Sequence, residues 1–253
     1  MASTTGSSFY VTLPSNSSLE EYPDNTLSSF RVKMVQTVIL EGDWEVGLVE
    51  MHYPQRWYNY LRSDVTSRIF YSINQGESWV DYPVESGYYD NIKHFLLALV
   101  PDRFRENIEF GFNSVSQKVF VTINTPGFAV KLTGTLAAML GFEHDLPITK
   151  SRKATYPIDM ELIHNLYVYC DIVEHQIVGN ARAPLLRTVA VQNRHGRDIS
   201  INYERPHYIS VNRKLFQEIE IDIRDATGRK IPFQRGRVIV KLHFRKKAPS
   251  LLD

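Results

Sequence analysis

The last forty residues alternate apolar and polar side chains with a period of two, which restricts them to β-strands with one dry face and one wet face. Ile219, Ile221 and Ile223 alternate with Glu218, Glu220, Asp222 and Arg224. Asp225-Ala226-Thr227-Gly228 then reads as a turn. Val238, Val240, Leu242 and Phe244 alternate with Ile239, Lys241, His243 and Arg245. The wet face of the first run is mostly acidic, and that of the second is mostly basic.

The same pattern recurs along the chain. Residues 9–13 form a short strand candidate, Phe30, Val32 and Met34 a second, and Trp44, Val46 and Leu48 a third that ends at Tyr53-Pro54. Five more follow Pro157, at 165–176, 186–192, 198–203, 216–223 and 237–244. Three strands before and five after make the eight that an antiparallel jelly roll needs. The middle of the chain has another character. Residues 67–74 suit a strand. Ile92, Phe95, Leu96, Leu99 and Val100 line one face of a helix that Asp90 would cap and Pro101 would stop. A hairpin is expected from 108–112 and 118–123 around Asn113-Ser114, then a strand at 128–132. A short helix follows from Thr133 to Leu140, closed by Gly141 with Phe142 packing back. The expected fold is mainly β: a single jelly-roll sandwich of residues 1–63 and 151–253 with a small α+β unit, residues 64–150, inserted in it. Residues 1–7 are small and polar and read as an arm.

Composition narrows the function classes. A 253-residue chain with 43% hydrophobic and 23% charged residues has enough apolar material for a globular core. With 29 basic and 28 acidic residues, nothing calls for nucleic acid as the main ligand. Cys170 is the sole cysteine, which excludes an intrachain disulfide and argues against a cysteine-based metal site. The start lacks a basic and apolar leader, and no apolar run approaches the roughly 18 residues of a membrane span. Folding inside a reducing compartment, without membrane insertion, is the expectation. The sequon at Asn16-Ser17-Ser18 then reads as a chance match. Aromatic residues, 12% of the chain, are explained by strand propensity.

Candidate chemistry is sparse. Cys170 and His175 invite a thiol-nucleophile reading, but even and odd positions of one strand point to opposite faces. A buried, inert thiol is the better account. Asp171, Glu174 and His175 offer metal-ligand atoms without a second histidine cluster nearby in sequence. The eight histidines, at 52, 94, 144, 164, 175, 195, 207 and 243, show no ligand spacing such as His-x-His. A cupin-like enzyme is therefore disfavoured. No Gly-x-Ser-x-Gly elbow, P-loop or dinucleotide glycine pattern occurs. No catalytic residues, cofactor or metal ligands are assigned. Arg56, Trp57, Tyr58, Tyr60 and Arg62 form an aromatic-basic cluster that would suit sugar or base stacking, although a loop anchor or subunit contact accounts for it better. A carbohydrate-binding jelly roll is the alternative functional reading. Arg245-Lys246-Lys247 could touch phosphate weakly, as in packaged DNA.

The two charged stripes have two readings. As paired neighbours, Glu218, Glu220 and Asp222 would offset Lys241, His243 and Arg245 within one sheet. In opposite sheets, the same residues would form oppositely charged outer surfaces able to dock between subunits.

Several segments together resemble the minor capsid (penton) protein of Polinton/Maverick elements and adintoviruses. They are Phe9-Tyr10-Val11-Thr12-Leu13-Pro14-Ser15-Asn16, Asn25-Thr26-Leu27-Ser28-Ser29-Phe30, Gly42-Asp43-Trp44-Glu45-Val46-Gly47-Leu48, Cys170-Asp171-Ile172-Val173-Glu174 and Ile219-Glu220-Ile221-Asp222-Ile223-Arg224. The resemblance implies a virion protein without catalytic residues, a jelly roll that assembles as a homopentamer at icosahedral vertices. Its implied partners are its own copies and a double jelly-roll major capsid protein. A double jelly roll needs roughly twice the length of one ordinary sandwich domain, so this chain length suits the penton role.

Overall fold

The computed structural model describes residues 6–62, 64–161, 163–192 and 195–247. Residues 1–5 of the expected arm lie outside the described residues. The chain divides into two units, residues 1–57 with 163–253, and residues 58–162.

In chain order the first unit begins with β1 (Ser8–Pro14), β2 (Ser29–Ile39) and β3 (Trp44–Pro54). The second unit follows with β4 (Ile69–Ser72), β5 (Val80–Tyr82), α1 (Ile92–Leu99), β6 (Ile108–Asn113), β7 (Lys118–Ile123), β8 (Ala129–Leu132), α2 (Gly134–Leu140) and β9 (Arg152–Lys153). The chain returns to the first unit through β10 (Asn165–Cys170), β11 (Gln176–Val178), β12 (Ala181–Ala183), β13 (Leu185–Ala190), β14 (Asp198–Asn202), β15 (Ile209–Ser210), β16 (Leu215–Arg224) and β17 (Ile239–Lys246).

The first unit is a jelly roll. One sheet has the order β1-β17-β3-β14, with β15 also paired to β3, and the other has the order β13-β10-β16-β2. Numbered among the eight sandwich strands alone, these are the orders 1-8-3-6 and 2-7-4-5. Consecutive strands therefore alternate between sheets, apart from the fourth and fifth. Alternation in sequence becomes alternation in space. Ile219, Ile221 and Ile223 of β16 and Val240, Leu242 and Phe244 of β17 are all fully buried in one core. Burying such a side chain contributes about 1.5–3 kcal/mol.

The second unit has its own core around Phe95, Leu99, Val121, Leu132 and Leu140. It is wider than the expected residues 64–150. Tyr60 pairs with Gly87 near its start, and Arg152–Lys153 adds a strand beside β7 near its end. Its first helix is capped by Asn91 rather than Asp90: the Asn91 side chain accepts from Lys93 N at 2.9 Å and His94 N at 3.2 Å. The second helix ends at Gly141 with φ 77°, and Phe142 N–H donates to Ala137 O at 2.9 Å. Thr133 stands at its N-cap, but the hydroxyl donates to Thr66 O at 2.6 Å instead of capping the helix.

Two further expectations need correction. The long strand at 165–176 breaks after Cys170, because residues 171–173 turn and Val173 N–H reaches back to Cys170 O at 3.3 Å. Ile172 and Val173 are both fully buried, which alternation forbids. Second, β2 runs to Ile39. Its pairing with β16 jumps from Lys33↔Glu218 to Val38↔Phe216, so residues 34–37 bulge opposite Gln217 alone.

Candidate interaction surfaces

The outer face of the β17 sheet is built around His243. Gly47 stands opposite His243 on β3, and the segment between β14 and β15 crosses there. That crossing brings the Tyr208 hydroxyl to 2.8 Å from His243 Nδ1. On the other side the Tyr10 ring stacks on the imidazole at 4.5 Å. Burial, and then the Arg245 charge, lower the His243 pKa, so the neutral ring is favoured. A neutral ring whose proton sits on Nε2 accepts at Nδ1 from the Tyr208 hydroxyl. Arg245 lies over the Tyr208 ring at 3.5 Å and reaches Glu45 at 2.6 Å. Lys241 reaches Glu50 at 3.2 Å, and His52 lies 2.5 Å from the same carboxylate. The hydrogen bond from His52, followed by that from Lys241, holds the Glu50 pKa below its ordinary value.

The outer face of the β16 sheet carries the acidic stripe. Glu220 pairs with Arg31 at 2.5 Å, Asp222 with Arg224 at 2.6 Å, and Glu218 with Arg31 at 3.9 Å. The Tyr22 hydroxyl donates to Glu218, which raises the tyrosine pKa. Asp171 accepts from Glu220 N–H at 2.9 Å and pairs with Arg213 at 3.1 Å. Burial nonetheless raises its carboxyl pKa. Tyr169, Ala183, Pro184, Asp222 and Arg224 line a surface cleft of about 410 Å³ beside this stripe.

The stripes therefore lie in opposite sheets, the second of the two arrangements open to the sequence. Each is also paired with opposite charge inside its own sheet, by β2 on one side and β3 on the other. Tyr22, Tyr208 and Arg213 complete these networks and were not singled out in the sequence. No local signal marks them: Tyr22 and Glu218 are 196 residues apart.

The chemical candidates stay apart. Cys170 is buried, and burial pushes its thiol up to about 12, while His175 is exposed. Among the described residues no group of three or more His, Cys, Asp or Glu could hold a metal ion. Trp57 is buried against Phe233, and Arg56 is bound to Asp198 at 2.5 Å. In the second unit Tyr60 is buried as well, with Tyr58 exposed. Trp44 is buried, and Trp79 is half-buried with Lys131 Nζ 5.2 Å from its ring. At the end of β17, Lys246 Nζ lies 5.8 Å from the Trp44 ring and Lys247 donates to Ser210 Oγ at 2.5 Å. No helix among the described residues is long and apolar enough to cross a membrane.

Among solved structures, the chain is similar to the crystal structure of selenomethionine-labelled mavirus penton protein, with a TM-score of 0.51. The match covers 95% of this chain and 99% of that one, at 12% sequence identity. The chain shares its overall fold with that protein. Neither a family model nor a curated protein sequence matches the chain. At this identity the likeness concerns the fold.

Proposed function

We propose that the chain is a structural capsid protein, the penton subunit at icosahedral vertices, and not an enzyme. The observation that carries this reading is the extent of the fold match, which spans 95% of this chain and nearly all of the mavirus penton protein. A bare jelly roll is shared by many activities and would be weak support. A jelly roll interrupted between its third and fourth strands by an α+β unit of about a hundred residues is more particular. In this reading the subunit closes into a homopentamer through a heterologous contact, meets a double jelly-roll major capsid protein and resides in the virion. An origin in Polinton/Maverick elements or adintoviruses is part of the proposal and rests on the sequence motifs. The stripes Glu218, Glu220, Asp222 and Lys241, His243, Arg245 are the proposed subunit contact, with placement in opposite sheets in their favour and in-sheet pairing against them. Contact of Arg245-Lys246-Lys247 with packaged DNA stays a minor part of it.

Light scattering of the purified protein tests the reading. The expected mass is five times the 29.3 kDa of one chain, with fivefold particles in negative stain. A monomer that also fails to join shells of the major capsid protein would remove the penton role. It would leave the carbohydrate-binding reading, for which glycan binding by the monomer is the check.

A further inference from the structure

Strands β11 and β12 form a hairpin, Gln176–Ala183, that joins neither sheet of the sandwich. A lone two-stranded hairpin has little stability of its own. Its apolar Ile177 is 80% exposed. Arg182, paired across from Ile177, is the sole charged residue of the hairpin and is exposed. Its guanidinium makes no ion pair among the described residues.

At the base of this hairpin, Ala183 and Pro184 wall the cleft of about 410 Å³. With Tyr169 they give it an apolar side, and Asp171, Glu220, Asp222 and Arg224 give it a charged one. Carboxylates are in excess around it. Arg31, Arg213 and Arg224 serve Asp171, Glu218, Glu220 and Asp222, three cations for four anions. One acceptor, Asp222 Oδ1, has no hydrogen-bond partner. The cleft thus lacks a cation and a donor, and the hairpin carries both beside an uncovered apolar side chain.

We infer that the cleft receives the β11–β12 hairpin of a second copy of this chain, with Ile177 against the apolar side and Arg182 toward the carboxylates. The inference rests on the proposed pentamer and names its contact. Docking of the hairpin in its own cleft is not what the single chain shows, since Ile177 and Arg182 are exposed there. Hairpin and cleft are different patches, so their union is heterologous, the kind that closes rings. Two patches a distance d apart on one subunit meet between fivefold neighbours at a radius of about 0.85 d. Hairpin and cleft adjoin at Ala183. The contact therefore belongs close to the fivefold axis, where each hairpin passes straight to the next subunit. It keeps Glu220 and Asp222 of the proposed stripe contact and gives them Arg182 in place of the β17 stripe.

Light scattering of variants tests this, at a concentration where half of the wild type is assembled. Ile177→Asp and Arg182→Glu should each lower the pentamer fraction about tenfold or more, whereas Ile177→Leu and Arg182→Lys should assemble as the wild type does. Both positions are exposed, so thermal unfolding of the four variants should stay near the wild type. Cross-linking locates the contact. Chains carrying Ile177→Cys, mixed with chains carrying Ala183→Cys and oxidised, should give disulfide-linked pairs well above the level of either chain alone. The native Cys170 is buried and adds little background. Full assembly by Ile177→Asp and Arg182→Glu, or pentamers without the mixed cross-link, overturns the inference and leaves the penton role standing. Loss of assembly in Lys241→Glu but not in Arg182→Glu does the same and returns the contact to the β17 stripe. A mass of two chains with the cross-link present would mean reciprocal exchange of hairpins, which overturns the ring. Failure of the wild type to assemble, alone or in shells, sinks the penton role and this inference with it.

Discussion

Gly47 has no side chain because the chain crosses the space one would fill. A Cβ there would lie 2.9 Å from His207 O and 3.0 Å from Pro206 Cβ. Backbone cannot yield as a flexible side chain can, so Gly47→Ala should destabilise by about 1–3 kcal/mol. Urea unfolding checks this, and an unshifted midpoint would show that the crossing segment is loosely held. The same crossing sets up a pH response. His243 has a pKa below its ordinary 6.5 in the folded protein, chiefly through burial. Between the folded value and 6.5 the unfolded chain binds more protons, so stability should fall as pH drops below 6.5 and level off below the folded value. His243→Gln should flatten that part of the stability profile. An NMR titration placing His243 above 6.5 would reverse the argument. Alternation put His243 on a wet face but could not show Tyr208 folding onto it, because that contact belongs to the crossing and not to either strand.

At the scale of elements, periodicity reported what packing enforces. The eight sandwich strands bury one face each, so their sequences carry the period. Strands β5, β9, β11, β12 and β15 have two or three residues each, too few to display one. The break after Cys170 escaped because Ile172 and Val173 are apolar whether the strand continues or turns. Caps are a local contest between adjacent polar residues, and Asp90-Asn91 offered two candidates. Asn91 wins by accepting from Lys93 and His94. Asn91→Ala should therefore cost about 1 kcal/mol, while Asp90→Ala should stay within about 0.5 kcal/mol of the wild type. Equal losses in thermal unfolding would mean that the two residues share the cap.

For the whole molecule, strand count was legible and partnership was not. Eight alternating segments imply a jelly roll, but only the sheet orders reveal that β16 and β17 lie in different sheets and that β2 and β3 supply their counter-charges. These pairs are partly exposed, and such pairs are worth about 0–1 kcal/mol each. Folding therefore depends little on them, and assembly can be tested without unfolding the subunit. Glu218 is the least neutralised carboxylate of its stripe, since Arg31 reaches it only at 3.9 Å while holding Glu220 at 2.5 Å. Lys241 shares Glu50 with His52. If the stripes meet between subunits, Glu218→Lys and Lys241→Glu should each lower the pentamer fraction at low salt, and the double variant should restore it. The single-variant defects should shrink near 1 M salt, where the screening length is about 3 Å. Light scattering reads the pentamer fraction, and thermal unfolding verifies that the subunit is intact. Wild-type assembly by both single variants would remove the stripes from the contact. The subunit interface would then lie elsewhere on the sandwich or in the second unit.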